Sequence, residues 1–284
     1  MSIKHVNQSQ SQAYAAVRTR FERDGYCFPL PALSNDEAAG LRTKFEHAER
    51  QAPTNLDQFD CFRTYSHLVI PAISKLALDP RITDWVSAIL GQDLLLLHTS
   101  IFVKEPMTEK FVSWHQDLTY WGLDGFDEVT AWFAMTPATI DNGCMRFVAG
   151  SHNQWAQHED RYHPDNMLSR SQEISVNVNE KDAVEVMLDA GEISLHHGRT
   201  FHASHPNRTE DRRIGVAFRY IMPSMRQTHA KNPTAMLARG TDNYGHFELI
   251  EPPTSLFAPE DIVRLKKIFT AENPTYYQGA AYEK

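Results

Sequence analysis

His115 and Asp117 stand two residues apart in the stretch Val112-Ser113-Trp114-His115-Gln116-Asp117-Leu118-Thr119-Tyr120. Alternate residues of an extended strand share a face, so this pair can direct an imidazole nitrogen and a carboxylate oxygen at one point. With a second imidazole from elsewhere they make a two-histidine, one-carboxylate set, whose open coordination positions suit Fe(II) and oxygen. The spacing recurs in His158-Glu159-Asp160 and His163-Pro164-Asp165. Those copies lie in a polar run over 151–170 with no alternating apolar pattern, which reads as a solvated loop. His115 and Asp117 are instead flanked by Phe111, Val112 and Trp114 and by Leu118, Tyr120 and Trp121, as in a partly buried strand. Because a buried His–Asp pair is also a common structural device, a metal site and a structural pair both stay open at this point.

The segment Leu195-His196-His197-Gly198-Arg199-Thr200-Phe201-His202-Ala203-Ser204-His205-Pro206-Asn207 offers four candidates for the second imidazole. His202 falls on an expected strand with Ser204 on the same face. His196, His197 and His205 fall nearer strand ends or turns and read as hydrogen-bonding residues. In the following strand Arg213, Gly215, Ala217 and Arg219 share one face, and Ile214, Val216, Phe218 and Tyr220 the other. The bulky apolar face should pack on an outer layer, while the first leaves room for a ligand and presents guanidinium groups. Arg213 could clamp a carboxylate bidentately or form a structural salt bridge.

These residues need strands to carry them. Short segments rich in branched and aromatic residues, separated by turn residues, predict strands over 94–99, 101–104, 112–117, 129–135, 145–147, 173–178, 184–188, 192–196, 199–204 and 213–222. Asp141-Asn142-Gly143 supplies a tight turn between two of them. Ahead of them, helical periodicity covers 11–23 and ends at Asp24-Gly25, before a short strand at 26–28. The Ser34/Glu37 capping box starts a helix that runs to about Arg50, and Pro80 opens another that Gly91 closes. Residues 51–60 read as a surface connection, and a last helix follows Pro259. Many short strands without intervening helices indicate an antiparallel sandwich or barrel with the N-terminal helices packed on one sheet. One domain over 1–284 is expected, with a helical part to about 93, a β core to about 222 and an extension over 223–284.

The chain is long enough, and at 42% hydrophobic residues apolar enough, to bury a real core. A net charge of -8 argues against a phosphate-backbone partner, so no nucleic acid is expected. No apolar run is long enough to span a bilayer and residues 1–12 lack an apolar signal core, which predicts a cytoplasmic protein without a membrane partner. Cys27, Cys61 and Cys144 have no C-x-x-C spacing and read as small core residues in a reducing compartment.

Taken together, the order Trp114-His115-Gln116-Asp117, Thr130-Ala131-Trp132-Phe133-Ala134, Asn142-Gly143-Cys144-Met145, Gly150-Ser151-His152, Phe201-His202-Ala203-Ser204, then Pro206-Asn207 and Arg213 resembles the phytanoyl-CoA dioxygenase family of Fe(II)/2-oxoglutarate oxygenases. The resemblance runs from about Asp24 to Tyr220 and implies a mainly β fold with packed helices, a double-stranded β-helix of jelly-roll or cupin type. By the same resemblance His115, Asp117 and His202 are iron ligands, Arg213 and Ser204 hold the distal carboxylate of 2-oxoglutarate, and Lys104 lies near cosubstrate or substrate. It implies Fe(II), 2-oxoglutarate and O2 as cofactors, and hydroxylation of a small-molecule substrate with release of succinate and CO2. Trp132, Arg146 and Arg219 are the candidate substrate contacts, and the arginines suggest a small, polar or anionic substrate. Halogenating relatives have a small residue where Asp117 stands, so a hydroxylase is expected. Desaturation or cyclisation by the same centre, a zinc hydrolase and a cupin-like binding protein are the competing readings.

Overall fold

A computed structural model describes residues 8–53, 61–168 and 172–276. Most of the expected connection over 51–60, residues 1–7, the end of the 151–170 run and the Cys61 side chain lie outside the described ones. Helix α1 (Gln8–Asp24) stops at Gly25, and β1 (Tyr26–Pro31) follows. Helix α2 (Asn35–Gln51) starts at the expected box: the Ser34 hydroxyl accepts from the Glu37 N–H, and the Glu37 carboxylate accepts from the Ser34 N–H at 2.9 Å. Two helices come unannounced, α3 (Cys61–Thr64) and α4 (Pro71–Ala77), because each is too short to repeat a helical face. Helix α5 (Pro80–Leu90) is capped by the Asp79 carboxylate and ends at Gly91, where φ is 101°.

Thirteen described strands are then complete with β2 (Leu94–Lys104), β3 (Val112–His115), β4 (Glu128–Ala134), β5 (Met145–Val148), β6 (His158–Asp160), β7 (Gln172–Ile174), β8 (Ala183–Val186), β9 (Glu192–His196), β10 (His202–Ser204), β11 (Arg213–Ile221), β12 (Thr234–Arg239) and β13 (Glu248–Leu249), and α6 (Pro259–Tyr276) closes the series. The large sheet runs β1-β9-β4-β11-β2-β12-β13 and the small one β3-β10-β5-β8, the two layers of a jelly roll, while β6 and β7 pair separately. Several expectations change. Strand β2 is continuous where two pieces were expected, its surplus residue absorbed by a bulge opposite Arg219 and Tyr220. The 151–170 run is not all loop, since β6 pairs with β7. Strand β3 ends at His115 rather than 117, and β10 starts at His202 rather than 199.

The alternation in β11 sorts the two faces of the large sheet. Ile214, Val216, Phe218 and Tyr220 enter one core with Leu41 and Phe45 of α2, Val86 of α5 and Leu265 of α6. Each such side chain, fully buried, is worth about 1.5–3 kcal/mol. The opposite face looks onto the small sheet across a second cluster that includes Trp132, Met145, Phe147 and Ala217. The extension over 223–284 adds β12 to the edge of β2. It also joins the loop after Asp117: Asp124 N–H donates to Arg226 O, Thr228 N–H to Gly122 O and the Gln227 amide to Trp121 O. Cys27 and Cys144 are buried free thiols. Among the described residues no helix is long and apolar enough to cross a membrane.

Candidate metal centre

His115, at the end of β3, and His202, at the start of β10, are register partners on adjacent strands, and their rings lie 3.9 Å apart between centroids. Each ring is set by the same device. His115 Nδ1 lies 2.9 Å from Ser113 O, and His202 Nδ1 lies 2.9 Å from Thr200 O. A carbonyl oxygen only accepts, so each Nδ1 carries a proton, and in the neutral ring the lone pair then lies on Nε2. Both Nε2 atoms face the Asp117 carboxylate, at 3.2 and 3.8 Å from Oδ1. One ligand atom from each of the three residues falls within 4.8 Å of the others. Burial drives the Asp117 carboxyl upward, but Arg219 and then the histidines outweigh it and hold the group ionised, well below its usual range. Burial, with His115 adding, holds His202 well below the usual imidazole range and therefore neutral. A neutral His202 and an ionised Asp117 are in the protonation states metal binding requires.

Asp117 does not sit on the strand; it opens a 3-10 turn (Asp117–Tyr120), with extended Gln116 before it. Gln116 sets that geometry. Its side chain is completely buried and fully used: the amide donates to Gln154 O at 2.8 Å and Arg199 O at 2.6 Å, and its oxygen accepts from Ala156 N–H at 2.9 Å. Its backbone N–H donates to His158 Nε2 at 2.9 Å. The second His-x-Asp copy thus supports the first one, with His158 pushed down to about 4 by burial. The third stays in a loop, where His163 Nδ1 accepts from Asp165 N–H.

At the other end of the same cavity stands Arg213 on β11, and its register partner Lys104 on β2 is buried beside it. Arg213 Nη2 donates to Gly143 O at 3.0 Å, its Nε has no partner, and its guanidinium lies over Trp132 at 5.3 Å. Lys104 Nζ donates to Ser204 Oγ at 2.6 Å and to His205 O. Among the described residues no carboxylate pairs with either cation. Burial, aided by Arg213, accordingly pushes Lys104 down to about 5, and burial pushes Arg213 down to about 10. Two glycines make the pocket possible. Gly143 turns with φ at +75° beneath His205 O, and a Cβ on Gly215 would stand 1.9 Å from Trp132.

The cavity between these ends is lined by Phe102, Thr130, Trp132, Met145, Leu168, His196, Ala217 and Arg219 among others. Of the three residues singled out as substrate contacts, Trp132 and Arg219 face it. Arg146 does not: it lies on the outer face of β5, ion-paired with Glu180 and with Glu185 at 3.1 Å, under Trp114. Strands alternate, and Arg146 falls between the inward Met145 and Phe147. His197 and His205 make hydrogen bonds, to Arg199 N–H and to Arg146. His196 makes none and faces the cavity. Thr130, with Glu128 beside it, also escaped the sequence reading, although the Glu128/Thr130/Trp132 alternation against Val129/Ala131/Phe133 would have found it. Burial pushes Glu128 up to about 8, and its carboxyl bonds Thr130 Oγ1 and Gly198 N–H.

Comparisons with known proteins find relatives described as oxygenases. A relative described as a probable alpha-ketoglutarate-dependent hypophosphite dioxygenase of Stutzerimonas stutzeri is 29% identical over 189 residues, which are 64% of this chain and 60% of the relative. The chain therefore spans less than two thirds of that relative. The solved structure of the non-heme monooxygenase ThoJ superposes with a TM-score of 0.81 at 33% identity, over 92% of this chain and 98% of that one. CytC3, solved with Fe(II) and alpha-ketoglutarate, shares the fold at 22% identity with a TM-score of 0.65 over 85% of this chain and 94% of that one. The family model described as "Phytanoyl-CoA dioxygenase (PhyH)" matches residues 21–215, more than two thirds of the sequence and a range that spans the triad, and the chain belongs to that family.

Proposed function

We propose that this chain is an Fe(II)- and 2-oxoglutarate-dependent dioxygenase that hydroxylates an unactivated C–H bond of a small, polar or anionic metabolite and releases succinate and CO2. One observation carries the proposal: two histidines and a carboxylate placed to hold a metal share a cavity with buried Arg213, and among the described residues no carboxylate pairs with Arg213 or with Lys104 beside it. A zinc hydrolase would use the triad but has no need of the second feature. The donor set fits an iron ion, and the Arg213 guanidinium with its unpartnered Nε, beside the Lys104 amine, fits the distal carboxylate of a dicarboxylic acid.

In this mechanism His115, Asp117 and His202 hold the metal, and Arg213, Ser204 and Lys104 hold the cosubstrate's far end. Ser204 Oγ accepts from Lys104, which leaves its own O–H to donate to an incoming carboxylate. Lys104 takes up a proton as that carboxylate arrives and offsets its charge. Phe102, Met145, Leu168 and Ala217 keep water from the reacting atoms. Bound iron with 2-oxoglutarate and O2 supplies the oxidising power to break a C–H bond. Asp117 would be one of the residues holding the metal, and its carboxylate would disfavour a halide there, so a product that gains oxygen rather than halogen is expected. The test is substrate-stimulated succinate release with mass analysis: a product one oxygen heavier, unchanged by added chloride, is expected. A chlorinated product, or turnover without 2-oxoglutarate, would contradict it.

A further inference from the structure

On the metal's side away from Arg213, one row of the large sheet faces the cavity: Arg219 on β11, Thr130 on β4 and His196 on β9, all in register. Arg219 and His196 are 6% and 2% exposed. A guanidinium has five N–H donors. Here Nη1 donates to Ser100 Oγ at 3.0 Å, Nη2 stands 3.6 Å from Asp117 Oδ2, beyond hydrogen-bond reach, and the buried Nε has no partner. Trp121 lies against the group at 5.3 Å and fixes its plane. In His196 both ring nitrogens are buried and unpartnered, although buried polar atoms are almost always paired. Its ring lies 5.0 Å from His202, beside the metal position. An imidazole in its neutral form offers one N–H donor and one acceptor.

Donors left unmet in a buried site are costly until something meets them. The cosubstrate is committed elsewhere. Arg213 and Arg219 are separated by roughly 20 Å of strand, and a five-carbon diacid held at Arg213 and on the metal has no carboxylate to spare beyond the metal. Once Asp117 is spent on that metal, Arg219 keeps a surplus of positive charge. We propose that Arg219 and His196 form the subsite that recognises the primary substrate, and that this substrate is a small molecule carrying an oxyanion, a carboxylate or a phosphorus oxyacid, on Arg219, with a second polar group on His196. The assignment rests on the 2-oxoglutarate reading above, which is what commits Arg213.

The test loads the full chain with Ni(II) and saturating 2-oxoglutarate, then titrates it by calorimetry with inorganic phosphate and with acetate at constant ionic strength. One phosphate or acetate per chain is expected, bound at least about tenfold more weakly in R219Q. H196F should weaken it severalfold. R219K keeps the charge without the planar fork, so an intermediate affinity with an unchanged melting temperature separates lost recognition from lost folding. The subsite is overturned if neither anion binds, or if R219Q binds both as the wild type does. A loss in R219Q of only 2-oxoglutarate or only Ni(II) affinity also overturns it, assigning the arginine to the cosubstrate or to Asp117. If the wild-type chain takes up no 2-oxoglutarate, the parent reading fails separately. The subsite is then decided in R213Q, where Arg219 is the one arginine left among the residues lining the cavity: phosphate binding abolished by adding R219Q supports it, and binding that persists overturns it.

Discussion

At the scale of single residues, the triad depends on a side chain that touches no metal. Gln116 sits between two of the ligands and ties their segment to Gln154, Ala156 and Arg199, the last of these close to the Thr200 carbonyl that orients His202. Loss of such outer support typically weakens metal binding by about 10–100-fold. Gln116→Ala is therefore expected to lower Ni(II) affinity by that factor, and Gln116→Glu to fail as a rescue because it removes the two donated hydrogen bonds. Competitive metal titration measures this; wild-type affinity in Gln116→Ala would show that the backbone alone fixes Asp117. Lys104 gives a second residue-scale expectation. With the free amine near 5 and a carboxylate raising it in the complex, the bound state holds more protons than the free state. Affinity for 2-oxoglutarate should thus fall as pH rises above about 5, and proton uptake should appear as a buffer-dependent binding enthalpy. Binding without proton uptake at pH 7 would mean that Lys104 is already charged.

At the scale of elements, β11 joins the two halves of the molecule: Arg213, Ala217 and Arg219 face the cavity, and Ile214, Val216, Phe218 and Tyr220 face the helices. Gly215 completes the inner row, because the Trp132 ring occupies the place of a side chain there and supports Arg213. Gly215→Ala should displace that ring and weaken 2-oxoglutarate binding by about tenfold or more, the scale of overpacking costs of about 1–3 kcal/mol; unchanged binding would show that Trp132 shifts without cost. This strand was legible in the sequence because small and charged residues alternate with bulky apolar ones. The end of β3 was less so, since alternation gives no warning that the chain turns into a 3-10 turn at Asp117. Strands β6 and β12 and the inward direction of His196 escaped for a related reason: short strands and strand ends carry too few residues to declare a face. Arg146 was misplaced because the turn before β5 leaves its phase undetermined, and one residue of phase moves a side chain to the other face.

At the scale of the whole molecule, burial of neutral histidines should govern the response to acid. His67 and His196 are pushed down to about 3, and His158 and His197 to about 4, each chiefly by burial. Their folded values lie below the unfolded one near 6.5, so the unfolded state binds more protons and stability is lost as pH falls through that window. Each contributes roughly 2 kcal/mol of loss by pH 5. Between pH 7 and 5, Lys104, held low, and Glu128, held near 8, act in opposite senses and largely cancel. Urea unfolding of the metal-free chain should therefore show a lower midpoint at pH 5 than at pH 7, by several kcal/mol in free energy; equal midpoints would mean that these histidines find water or partners in the folded state.

The most direct measurement is paired titration of the anaerobic chain with Fe(II) and 2-oxoglutarate, comparing wild type with His202→Ala and Arg213→Gln. One equivalent of each is expected to bind, with iron affinity collapsing in His202→Ala. In Arg213→Gln iron should be retained, while 2-oxoglutarate affinity falls by roughly a hundredfold, as for truncation of one partner in a buried charge pair. Iron binding that survives His202→Ala, or 2-oxoglutarate binding indifferent to Arg213, would contradict the assignment of this cavity.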